Sequence, residues 1–143
     1  MFQRILVAVD GSMNSDRAVE AAAEMARNHG STLSICHAFH IPEQYKTDLI
    51  DELEETLVAD AEKILAHAAR VAKDAGLEVE TRLLKKGHPT EAIVGHAKEL
   101  GVGLIALGVR GRTPDPTRAI GSISSAVAER AGCSVLLVRH AVE

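Results

Sequence analysis

Apolar residues along this chain fall into two rhythms that take turns: short continuous runs, and longer stretches that repeat at helical spacing. Residues Arg4 to Val9 form an apolar run ending in Asp10-Gly11-Ser12, the makings of a strand, a turn and a helix start. The following stretch carries Ala18, Val19, Ala22, Met25 and Ala26 on one stripe and stops before Gly30, with Ser12 or Ser15 as its cap. A second strand runs from Thr32 to Phe39, and a long helix from about Thr47 to Ala75 ends at Gly76. Leu77 to Leu84 predicts a third strand, Gly87-His88-Pro89 a turn, and Thr90 to Leu100 a helix halted by Gly101. Gly103 to Leu107, Ser122 to Ala131 and Ser134 to Arg139 complete the series as strand, helix and strand. Five short strands alternating with four helices predict an α/β fold, an open doubly wound and mostly parallel sheet with helices on both faces.

Composition sharpens that expectation. A length of 143 residues predicts a single domain over 1–143, large enough to bury a core without metal or disulfide support. With 46% hydrophobic residues and only 2% aromatics, the core must be packed by Val, Ile, Leu and Ala. The net charge of −4 argues against a general nucleic-acid binder, and the scattered Phe2, Phe39 and Tyr45 offer no base-stacking platform. Cys36 and Cys133 form neither a C-x-x-C pair nor a disulfide-dense pattern, and the N-terminus lacks the features of a signal peptide. No apolar run reaches the length of a membrane span, so a reduced, cytoplasmic protein is expected. The seven histidines show no i, i+4 pairing with carboxylate support, so no metal site is expected. His37 and His40 read as residues at the exposed end of a strand, and Cys36 as buried and inert.

The stretch most suggestive of chemistry is Gly108 to Ser122, GVRGRTPDPTRAIGS. Glycines let backbone N–H groups approach an anion without a Cβ in the way, and a helix beginning near Gly121 offers its free N–H groups to the same anion. Arg110, Arg112 and Arg118 stand against one Asp115, so positive charge gathers there in a chain that is otherwise acidic. Arg110 and Arg112, flanking Gly111, are the better candidates for phosphate neighbours. A capping or turn-bracing role for Asp10, and a purely structural role for the glycines, are the competing readings. Ser122 reads as a helix-start residue for which capping and phosphate contact are compatible.

The start ILVAVDGS, the end CSVLLVR and above all Gly108-x2-Gly111-x9-Gly121-Ser122 resemble the universal stress protein family, in its ATP-binding branch, over essentially the whole chain. The resemblance implies a Rossmann-like sheet of order 3-2-1-4-5, which sets Asp10 beside Gly108. It further implies that Asp10 meets the ribose of ATP, that Ala38 gives main-chain contacts to adenine, and that Gly108, Gly111, Gly121 and Ser122 contact the phosphates. Mg²⁺ would accompany ATP, and two chains would pair through the last strand as a homodimer, leaving a protein partner to read the nucleotide state. Thr113-Pro114-Asp115-Pro116 departs from the family's more apolar, proline-poor stretch. The absence of a G-x-x-x-x-G-K-[ST] run favours binding over turnover. The alternatives are slow ATP hydrolysis or phosphotransfer, with Asp10 or Asp115 positioning metal or water, and a nucleotide-independent interaction module.

Overall fold

The computed structural model describes residues 2–41, 48–85, 87–111 and 117–140. Element order is β1 (Arg4–Ala8), α1 (Met13–His29), β2 (Thr32–Ala38), α2 (Asp48–Asp74), β3 (Glu80–Leu84), α3 (Pro89–Leu100), β4 (Leu104–Gly108), α4 (Ser122–Arg130) and β5 (Ser134–Val138). All strand pairs are parallel, in the order β3-β2-β1-β4-β5. β1 lies between β2 and β4, with Ala8 opposite Cys36 on one side and Leu107 on the other.

Alternation along the strands divides the core in two. Ile5, Val7, Leu33, Ile35, Leu104 and Ala106 point to the face covered by α1 and α2, where Ala18, Ala22, Ala26, Leu65, Ala68 and Ala72 meet them. Leu6, Ala8, Cys36, Ile105 and Leu107 point to the other face, against Ile93, Ala97 and Val127 of α3 and α4. The abundant alanines let these helices lie close to the sheet, and the scarcity of aromatics follows from that close packing. The ends of α1 and α3 are set locally. Ser12 caps α1 by accepting the Ser15 N–H at 3.1 Å. Gly30 and Gly101 stop α1 and α3 in the left-handed region, at φ 67° and 65°, where side-chain-bearing residues are strained.

Most boundaries fall within a residue of the sequence expectation, and two differences bear on the packing and the site. β3 begins at Glu80 rather than Leu77, because the Leu77 N–H is spent on Ala72 O at 3.0 Å in closing α2. Leu77 and Val79 are apolar because they pack on the core, not because they pair with β2. β4 runs one residue further than expected, so that Gly108 is the last strand residue, paired with Val138 of β5.

Candidate functional site

Sheet order makes β1 and β4 neighbours, while the chains leaving them go to opposite faces: α1 covers one and α4 the other. The two departing loops part and leave a crevice at the strands' carboxyl ends. A cavity of about 390 Å³ lies there. Asp10, Ala38, Gly108, Arg110, Gly111, Gly121 and Ser122 all line it, so seven of the candidate residues come together from four separate stretches of chain. Arg112, the remaining candidate, lies outside the described residues, as does the 113–116 departure from the family pattern. Ser15, Ile93, Arg118, Ile123 and Ser124 also line the cavity.

Of the two local roles considered for it, Asp10 braces the turn and does not cap the helix, whose N-cap is Ser12. Its Oδ1 accepts the Ser12 N–H at 2.9 Å, which braces the turn into α1. Its Oδ2 points toward Gly111, where a Cβ would come within 2.6 Å of that oxygen. Glycine at 111 therefore leaves space for the carboxylate at the cavity wall. A methyl group there would displace it.

The other two glycines differ in what they spare. A Cβ on Gly108 would sit 2.6 Å from Asn14 Cβ, 2.8 Å from Asn14 C and 2.9 Å from Ser15 N, so this glycine lets β4 press directly onto the first turn of α1. At Gly121 the nearest atom to a Cβ would be Arg110 Cα at 3.4 Å, an ordinary contact. The positive-φ glycines of the described chain are Gly11, Gly30, Gly76, Gly87 and Gly101, a set that contains none of Gly108, Gly111 and Gly121. Close approach, not a left-handed backbone, is what Gly108 and Gly111 provide.

The start of α4 is the most polar wall of the cavity. Gly121 is the N-cap and has no side chain to cap the helix with, and the first turn holds no acidic residue. Ser122 is thus the first helical residue and not the cap, which corrects the capping role considered for it. Ser124, overlooked from the sequence, is buried and gives its hydroxyl to Gly108 O at 2.7 Å. The Gly121 N–H in turn donates to Val109 O at 2.8 Å, which fixes the loop against the helix start. At this helix start no N-cap side chain answers the first-turn N–H groups, and Arg110 and Arg118 line the same cavity. Arg118 ranked below Arg112 in the sequence because distance from Gly111 was the only guide.

Outside the cavity, His37 is half-buried rather than at an exposed strand end, and its Nδ1–H donates to Val9 O at 2.6 Å. His40 is exposed. Cys36 is fully buried, and burial pushes its thiol up to about 12, which suppresses the nucleophilic thiolate. Among the described residues no group of three or more His, Cys, Asp or Glu side chains is placed to hold a metal ion. No helix of the described chain is long and apolar enough to cross a membrane.

A doubly wound parallel sheet with a glycine-walled crevice at its switch point places the molecule among the Rossmann-like α/β proteins. The profile of the universal stress protein family matches residues 1–139, and the chain belongs to that family. Universal stress protein YxiE of Bacillus subtilis (strain 168) is 35% identical over 153 aligned positions, which span 97% of this chain and 100% of that protein. Among solved structures, a universal stress protein in complex with cAMP is 31% identical, with a TM-score of 0.75 over 96% of this chain and 97% of that one. The universal stress protein of Archaeoglobus fulgidus in complex with dAMP is 27% identical, with a TM-score of 0.70 over 96% of this chain and 98% of that one.

Proposed function

We propose that this chain binds ATP, accompanied by Mg²⁺, in the switch-point cavity and works in the cytoplasm as a nucleotide-dependent binding module of the stress response. One observation carries the proposal. The N-terminus of α4 and the Asp10 carboxylate line the same cavity, so donors for an anionic group and an acceptor for hydroxyls are offered to one molecule. The two solved relatives named above hold adenine nucleotides, which supports the class of ligand.

Each residue then has a task set by its chemistry. Asp10 is acceptor-only as a carboxylate and receives ribose hydroxyls. Ala38, at the end of β2, gives main-chain contacts to the base, with Ile93 offering an apolar surface beside it. Gly111 and Gly121 let backbone come close to the phosphates, the first turn of α4 from Ser122 donates N–H groups, and the Ser122 hydroxyl adds another donor. Gly108 takes part by fixing β4 against α1. Arg110 and Arg118, together with the helix end, supply more positive charge than a single phosphate needs, which favours a polyphosphate. Mg²⁺ is held through phosphate oxygens and water.

Binding is favoured over turnover because Asp10 is the one carboxylate among the described lining residues, and one of its oxygens is already engaged by Ser12. The decisive measurement is calorimetry with ATP–Mg²⁺ on nucleotide-stripped protein, alongside mass spectrometry of the small molecules that leave freshly purified protein on heating. Saturable ATP binding is expected. An intact fold that takes up no nucleotide would remove the proposal.

A homodimer through the last strand belongs to the same proposal. The sheet has two edges with different chemistry: β3 exposes Glu80 and Arg82, charges that discourage strand pairing. β5 offers half-buried Val135, Leu136, Leu137 and Val138. Light scattering at micromolar protein should give twice the chain mass; a monomer would remove this part alone.

A further inference from the structure

The end of β4 is held by four hydrogen bonds from four directions. Gly108 O accepts the Ser124 hydroxyl at 2.7 Å, and the Val109 N–H donates to Val138 O of β5 at 2.9 Å. Val109 O accepts the Gly121 N–H at 2.8 Å, and Arg110 O accepts Asn14 Nδ2–H at 3.0 Å. The last of these has a second half. Asn14 Oδ1 accepts the His140 N–H at 2.6 Å, so one carboxamide joins the cavity loop to the chain just after β5.

The chemistry of the two partners fixes the amide. A backbone carbonyl only accepts and a backbone N–H only donates, so the side chain between them must present NH₂ to Arg110 and oxygen to His140. Asparagine supplies both on a stem short enough to stay within the first turn of α1; aspartate supplies only the acceptor. Asn14 is also immovable from behind, because Gly108 packs so tightly on it that even a methyl group would not fit between them. Arg110 and Gly111 line the cavity, whereas His140 lies two residues beyond the edge strand. The partners of Asn14 are 96 and 126 positions away in the chain.

We infer that Asn14 is a positioning residue that locks the Arg110 wall of the nucleotide cavity to the exit of β5, so that occupancy of the cavity and order at that exit rise together. The inference rests on the nucleotide reading above for its ligand, and on the bidentate contact for its residue. Coupling of this kind is reciprocal: whatever steadies the end of β5 tightens nucleotide binding by the same factor.

Hydrogen exchange followed by mass spectrometry, with ATP–Mg²⁺ titrations on the full chain, tests it. In the wild type, ATP should slow exchange both at residues 109–111 and at 138–140. Asn14→Ala should weaken ATP binding by about tenfold, abolish the ATP-dependent protection at 138–140, and leave the strands of the core protected. Asn14→Asp, nearly equal in size, should lose similar affinity while keeping its acceptor for His140, so that protection at 138–140 in nucleotide-free protein stays close to wild type. Wild-type ATP affinity in either variant overturns the inference, as does ATP binding to the wild type with no change at 138–140. Absence of ATP binding to the wild type sinks the nucleotide reading instead. The clamp is then judged without nucleotide: faster exchange at both 110–111 and 138–140 in Asn14→Ala upholds it, and unchanged exchange at either overturns it.

Discussion

Helices α1 and α4 begin at the same end of the sheet, behind neighbouring strands, yet their first turns are treated in opposite ways. At α1 the Ser12 hydroxyl accepts the Ser15 N–H, the Ser15 hydroxyl returns to Ser12 O at 3.0 Å, Asp10 accepts the Ser12 N–H, and Asp16 adds negative charge in the first turn. α3 is also answered, by His88 Nδ1 accepting the Thr90 N–H at 3.2 Å and by Glu91. α4 has a glycine N-cap and no acid in its first turn, and the nearby Ser124 hydroxyl is turned away to Gly108 O. A helix end left bare costs stability unless water or a ligand satisfies it. Two closed ends beside an open one are the reason the proposed function puts the anion at α4, and the comparison can be broken or sharpened by moving caps between them.

The largest effect is expected from giving α4 what α1 has. Gly121 holds the extended geometry of an N-cap, φ −60° and ψ 155°, and a Cβ there meets only ordinary contacts. Gly121→Asp should therefore fold, with stability unchanged or raised by a few tenths of a kcal/mol. Its carboxylate would occupy the N–H groups and repel phosphate, so ATP affinity should fall by about 100-fold, or ~2.7 kcal/mol. Calorimetry together with thermal melting reads both quantities. A variant that binds ATP as the wild type does would show that the phosphates lie elsewhere.

Gly108→Ala probes the closed side. Here a Cβ would strike the backbone of α1, which cannot swing away as a side chain can. Destabilisation of about 1–3 kcal/mol is expected from such overpacking, seen as a lower urea midpoint with the slope unchanged. The pair of glycine variants thus separates their uses: one should lose ligand and keep the fold, the other should weaken the fold. Equal melting behaviour for Gly108→Ala and wild type would mean that β4 and α1 are not pressed together.

Much of this was readable in the chain. Alanine stripes at helical spacing and Val/Ile/Leu runs gave the order of strands and helices, because propensity, periodicity and glycine stops agree there. The cavity was readable as far as it is made of residues whose spacing is local, such as Gly108, Gly111, Gly121 and Ser122. What the sequence withheld depends on distant partners. Leu77 and Val79 look like strand residues because burial against a helix and pairing in a sheet both select apolar side chains. Gly108 looks like a loop anchor, and only the approach of Asn14 reveals that it is a packing residue. Ser124 and Asn14 carry no local signature at all, since one bonds a strand carbonyl and the other bonds two chain segments far along the sequence.

The smallest effects should come from opening the closed ends. Ser12→Ala removes the acceptor of the Ser15 N–H, a buried bond, and should cost about 1 kcal/mol of stability. Asp10 still accepts the residue 12 N–H in that variant, because the bond is to backbone, so the carboxylate stays in place and ATP affinity should change by no more than about threefold. His88→Ala opens α3, whose cap is longer and lies on an exposed residue, and should cost only a few tenths of a kcal/mol. It should leave ATP binding untouched, since His88 is not part of the cavity wall. Parallel melting and titration of the two variants give the ranking. A large affinity loss in Ser12→Ala with little loss of stability would mean that the first turn of α1, not that of α4, faces the anion.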